Sequence, residues 1–83
     1  MNIYVGNLDF KVNESELSGI FEEYGTVSSS KIVTDKFSGR SRGFGFITMD
    51  NAVEANRAIS ELNGMKFSNR ELVVNEALEK KQF

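Results

Sequence analysis

Eighty-three residues, 40% of them hydrophobic and 27% charged, make one small globular domain with a single modest core. Cysteine and histidine are both absent, which excludes disulfides, Cys/His zinc sites, thiol nucleophiles and imidazole bases. The formal net charge of −2 argues mildly against a nucleic-acid partner until its distribution is considered. No basic, apolar leader and no apolar run of membrane-spanning length is present, so a soluble cytoplasmic protein is expected, with no cofactor, metal or small-molecule substrate.

Ile3-Tyr4-Val5 reads as a short strand with Ile3 and Val5 inward and Tyr4 outward, broken by Gly6-Asn7. Asn13 followed by Glu16 approximates a capping box. Leu17, Ile20, Phe21 and Tyr24 then form one helical stripe that Gly25 is placed to stop in the left-handed conformation. Val27 to Thr34 reads as a second strand, weakened by Ser30 at an inward position. A polar loop, 35–41, carries the turn signal Ser38-Gly39 and leads into a strand from Arg42 to Met49. Asp50 or Asn51 caps a second helix with the stripe Ala55, Ala58, Ile59 and Leu62, closed by Asn63-Gly64. Leu72-Val73-Val74 supplies the last strand, with Leu72 and Val74 inward and Val73 and Asn75 outward. The expected domain spans 1–78, with a short charged tail at 79–83. The order β-α-β-β-α-β is that of an α+β, ferredoxin-like fold, a four-stranded antiparallel sheet with both helices on one face.

The strand Arg42-Gly43-Phe44-Gly45-Phe46-Ile47-Thr48-Met49 is inverted with respect to water. Alternation puts Arg42, Phe44, Phe46 and Thr48 on one face and Gly43, Gly45, Ile47 and Met49 on the other. A charged side chain is rarely buried unpaired, so the face with Arg42 is the solvent side and displays two phenylalanines. Tyr4 joins them from the first strand. The two glycines are expected to face the helices and let them approach the sheet closely. Charge is polarised as well. Residues 31–42 hold Lys31, Lys36, Arg40 and Arg42 against Asp35 alone, while Glu14, Glu16, Glu22 and Glu23 fall in a stretch without a basic residue.

On these residues the chain resembles the RNA recognition motif family. Arg42 to Met49 matches the family's eight-residue ribonucleoprotein element except at the last position, where Met49 replaces an aromatic. Ile3-Tyr4-Val5-Gly6-Asn7-Leu8 looks like its six-residue element, and Leu62-Asn63-Gly64 and the spacing of Arg70, Leu72, Val74 and Ala77 also fit. The resemblance implies binding of single-stranded RNA on the open sheet face. Tyr4 and Phe44 match the rings that stack successive bases. Phe46 matches the ring among the sugars, and Arg42 the cation at a phosphate. Asn7 resembles a polar contact at the end of the first strand. Lys31 could meet a phosphate or be a plain solvated lysine. Asn75, Glu76 and Ala77 leave the last strand where the family often reads base edges. Lys36, Phe37 and Arg40 in the loop could grip the strand or stay mobile, and Phe37 could instead tuck against the sheet.

Three rival readings are weaker. Protein-binding variants of the fold usually lose sheet aromatics and carry Arg-x-Phe after the second helix, where this chain has Met65-Lys66-Phe67. An acylphosphatase-like enzyme needs a phosphate-cradling loop with a positioned arginine, and residues 7–12 offer neither. Single-stranded DNA could use the same stacking surface, because the sugars are told apart by contacts to the 2′-hydroxyl. A monomer is expected, with the exposed acidic first helix open to a protein partner.

Overall fold

The computed structural model describes residues 1–77, so the expected tail at 79–83 and the exact domain end lie outside the described residues. In chain order the elements are β1 (Asn2–Gly6), α1 (Glu14–Glu22), β2 (Ser29–Thr34), β3 (Ser41–Thr48), α2 (Ala52–Leu62), β4 (Lys66–Phe67), β5 (Arg70–Glu71) and β6 (Val73–Glu76). β2, β3, β1 and β6 form one sheet in that order, and each neighbouring pair is antiparallel. No helix among the described residues is long and apolar enough to cross a membrane.

Local chemistry explains each helix start. Asn13 Oδ1 accepts from the Glu16 N–H at 2.8 Å, and Glu16 Oε1 accepts from the Asn13 N–H at 3.1 Å, completing the capping box. Asn51, rather than Asp50, caps α2 by accepting from the Glu54 N–H at 3.0 Å. Asn63-Gly64 ends α2, with Gly64 at φ 86°, a conformation that favours glycine. The Asn63 side chain also accepts from the Val74 N–H at 2.9 Å, tying the helix end to β6.

The core sits between helices and sheet. Ile3, Val5, Ile32, Ile47 and Val74 are buried from the strands, Met49 and Leu72 from the residues flanking them, and Leu17, Phe21, Ala55, Ala58 and Leu62 from the helices. Met49, the departure from the family pattern, is fully buried, as suits a thioether that fills core gaps.

Several local expectations are corrected. Gly25 is not in the left-handed region. α1 stops earlier, where the Tyr24 N–H bonds the Phe21 carbonyl at 3.0 Å, and Gly25 instead leaves room for the Glu54 side chain. β2 begins at Ser29, not Val27. Ser30 is not a loss to the core, because its hydroxyl donates to the Glu14 carbonyl at 3.0 Å. The Ile32 N–H donates to the Glu14 carboxylate at 2.9 Å, so α1 satisfies a donor on this edge strand. The β4–β5 hairpin was not expected. Its turn, Ser68-Asn69, has φ of 52° and 70°, the two positive values a primed hairpin turn needs, without the usual Asn-Gly signal.

Candidate nucleic-acid interface

From Phe44 to Met49 the inverted strand is displayed as its pattern implies. The register with β2 shifts between Ile32 and Thr34 and Gly43 has positive φ, so the alternation does not run back to Arg42, which lines a groove with Phe10 and Arg40 instead. Gly45, Ile47 and Met49 are buried, while Phe44, Phe46 and Thr48 stay part-exposed on the face opposite the helices. The glycines serve a different purpose from the one expected. A Cβ on Gly45 would collide with the Lys31 carbonyl and lie 3.1 Å from the Ile32 Cα, so Gly45 admits the neighbouring strand β2 and not a helix. Gly43 has φ 86°, and a Cβ there would lie 3.3 Å from the Phe10 ring. It therefore shapes the strand entrance beside the β1–α1 loop.

Strand register builds the aromatic surface. Tyr4 pairs with Phe46 across β1 and β3, Phe46 with Lys31 across β3 and β2, and Tyr4 with Asn75 across β1 and β6. Lys31, Phe46, Tyr4 and Asn75 thus form one row across all four strands, roughly 14 Å long at ordinary strand spacing. Phe44 sits beside that row. The Tyr4 ring centroid is 5.9 Å from Phe44 and 5.9 Å from Phe46, and the two phenylalanines are 6.2 Å apart. The three rings meet at 35°, 64° and 88°, so they form a tilted cluster and not a flat stack. This leaves ring faces available to planar groups.

A groove of about 640 Å³ runs beside this cluster. Tyr4, Phe46 and Lys31 line it, together with Asn75, Glu76 and Ala77 from the end of β6. Its floor is fixed by polar bonds between strands. Thr48 Oγ1 donates to Asn2 Oδ1 at 2.8 Å, and the Ala77 N–H donates to the Asn2 carbonyl at 2.9 Å. The Ala77 N–H is therefore engaged within the sheet.

Asn7 takes a different position. With φ 58°, it turns its amide toward the β4–β5 hairpin, where Nδ2 donates to the Glu71 carbonyl at 2.6 Å. Its Oδ1 accepts from Arg70 Nη2 at 3.1 Å and Nε at 3.3 Å. In this state both ends of the Asn7 side chain hold the hairpin.

The loop before β3 is a hydrogen-bonded turn. Asp35 accepts from the Phe37 N–H at 2.8 Å and the Ser38 N–H at 3.0 Å. These amides, Ser38 foremost and then Phe37, hold the Asp35 carboxyl below its ordinary range. The Gly39 N–H closes back on the Asp35 carbonyl at 2.8 Å. Phe37 is 95% exposed, so it does not tuck against the sheet. Beside this turn lies a second groove, lined by Phe10, Lys11, Arg40 and Arg42 among others. Phe10 is 68% exposed. Sequence reasoning passed over Phe10 and Lys11, although an aromatic beside a cation in a loop next to the first strand was the available signal.

Residues 3–73 match the sequence profile of the RNA recognition motif. The chain belongs to the RNA recognition motif family. It is similar to the "Putative RNA-binding protein RbpA" of Synechocystis sp., with 44% identity over 77 residues, 93% of this chain and 76% of that protein. The crystal structure of "RNA Binding Protein PG1" superposes with a TM-score of 0.94 at 50% identity, covering 99% of both chains. A Sex-lethal protein/RNA complex superposes with a TM-score of 0.86 at 36% identity, covering 92% of this chain and 47% of that one. The ferredoxin-like architecture read from the sequence is the fold of these neighbours.

Proposed function

We propose that this chain binds short single-stranded RNA on the open face of its sheet as a non-catalytic, post-transcriptional binding module of the cytoplasm. Tyr4 and Phe44 each stack a base, Phe46 packs against sugars, and Arg42 meets a phosphate. Lys31 meets a second phosphate at the β2 edge, and Asn75, Glu76 and Ala77 contact base edges where the chain leaves β6. Asn7 contributes only if its amide leaves the hairpin. The observation that carries this reading is the cluster of three rings, all within 6.2 Å of one another, on a sheet face that neither α1 nor α2 covers among the described residues. Exposed apolar surface of this kind is unfavourable in water unless a partner covers it. Membership of the family and the RNA in the Sex-lethal complex support RNA as that partner.

Two stacked bases at about 1–3 kcal/mol each supply about 2–6 kcal/mol, so even before the cost of ordering a flexible strand stacking alone gives a Kd no tighter than about 40 μM. Stacking requires unpaired bases, so competition experiments test the reading. A labelled short RNA of randomised sequence is displaced by unlabelled single strands and not by the same sequences annealed into duplex. DNA single strands compete as well as RNA if stacking alone decides, and worse if 2′-hydroxyl contacts contribute. Equal competition by duplex and single strand refutes the proposal.

A further inference from the structure

Tyr4 stands directly opposite Phe46 across β1 and β3. Register alone would pair its ring with Phe46 and leave Phe44, two residues along β3, to one side. Yet the Tyr4 ring is 5.9 Å from both. Its phenol end leans along β1 and fills the space a side chain at position 6 would need. A Cβ built on Gly6 collides with Tyr4 Oη and lies 2.8 Å from both Cε2 and Cζ, well inside ordinary carbon contact. The three heavy atoms nearest that Cβ all belong to Tyr4.

Gly6 is not in the left-handed region, so its main chain would accept alanine. What glycine supplies here is room. Other described glycines have different reasons. Gly39, Gly43 and Gly64 have positive φ, and Gly45 is closed by the backbone of β2. Gly6 alone is closed by a ring of the aromatic cluster. On β6 its register partner is Val73, 42% exposed, and the register of Val5 with Gly45 brings the Phe44–Gly45 stretch of β3 to its other side, so the bare backbone at Gly6 makes a slot on the open face between them.

We propose that Gly6 is a positioning residue for Tyr4: the missing side chain lets the phenol lean toward Phe44, which sets the relative placement of two base-stacking rings. This rests on the stacking reading above. A methyl at position 6 swings the ring out of the slot, because an aromatic side chain pivots more easily than two paired strands separate. Gly6→Ala therefore leaves the sheet intact and disrupts the spacing of the two stacks.

Two measurements test this. In the RNA-free protein, NMR contacts between the Tyr4 and Phe44 rings are present in the wild type and lost in Gly6→Ala; their persistence overturns the proposal. With short randomised single-stranded RNA, Tyr4→Ala weakens binding about 5- to 150-fold, the loss of one base stack. Gly6→Ala weakens it by at least about 3-fold and by no more than Tyr4→Ala does. On the Tyr4→Ala background, Gly6→Ala adds nothing, and an equal further loss there shows that Gly6 acts by another route. If Tyr4→Ala binds RNA as tightly as the wild type, the stacking reading fails, while the ring contacts in the free protein still decide the role of Gly6. If Gly6→Ala alone does not fold, the Tyr4→Ala/Gly6→Ala double variant does, since the obstructing ring is gone. Failure of both to fold overturns the proposal.

Discussion

Phe44→Ala separates the binding role of the rings from their packing role. In the free protein Phe44 contributes two ring pairs, with Tyr4 at 5.9 Å and with Phe46 at 6.2 Å. Such pairs contribute about 0.5–1.5 kcal/mol each beyond burial, and the lower end applies to part-exposed rings. Removing Phe44 therefore costs about 1 kcal/mol of stability, a fall of about 4–8 °C in Tm for a domain of this size. In the complex the same substitution should remove the proposed base stack of about 1–3 kcal/mol and raise Kd about 5- to 150-fold. Fluorescence anisotropy with a short labelled single-stranded RNA reads the second quantity, and a circular-dichroism melt reads the first. Val53→Ala is the matched control, since Val53 is 79% exposed on α2, away from the rings. It should change both by less than about 0.5 kcal/mol. A folded Phe44→Ala protein that binds RNA as tightly as the wild type refutes the stacking role.

The remaining expectations concern the strand pairing, the charges and the loop. Gly45→Ala should lower stability by about 1–3 kcal/mol in urea denaturation and loosen β2, because its methyl meets the backbone of Lys31 and Ile32. Gly19→Ala, with nothing within 4 Å in the middle of α1, should instead stabilise by about 0.5–1 kcal/mol. The phosphate contacts proposed for Arg42 and Lys31 should give a shallow plot of log affinity against log salt, with a slope of about −1.4, and Arg42→Ala should reduce its magnitude by about 0.7; an unchanged slope removes Arg42 from the phosphates. Asp35 is held below its ordinary pKa of 3.8 by the Ser38 and Phe37 amides. Its support for the loop turn is therefore fully present above that value and fades as pH falls through the lower folded one. NMR titration of the Asp35 carboxyl should give a midpoint below 3.8, and a midpoint at or above it contradicts the turn geometry.

What the sequence revealed followed from periodicity. The stripe of Leu17 and Phe21, the alternation of Ile3 and Val5, and the inverted pair Phe44 and Phe46 each depend on only a few neighbouring residues. Patterns of that range survive folding unchanged. The glycines of β3 were misread because their constraint comes from elsewhere in the chain. Gly45 answers to a strand more than ten residues before it, and Gly43 to a ring in the first loop. Ser30 looked like a core defect for the same reason, since its partner is a helix carbonyl at Glu14. The β4–β5 hairpin escaped notice because Ser68 and Asn69 adopt positive φ without glycine. Asn7 was legible as a special residue, but its engagement with Arg70 and Glu71 depends on a hairpin that the pattern did not announce.

The proposed binding stands or falls on whether the open sheet face, and not the helical one, receives RNA. Titrating isotope-labelled protein with a short single-stranded RNA, and following each residue by NMR, tests it most directly. The largest shifts are expected at Tyr4, Phe44 and Phe46, with smaller ones at Lys31, Arg42 and Asn75 to Ala77, and none at Glu16, Val53 or Ser60 on the helices. Shifts confined to the helices, with the three rings unmoved, would contradict it.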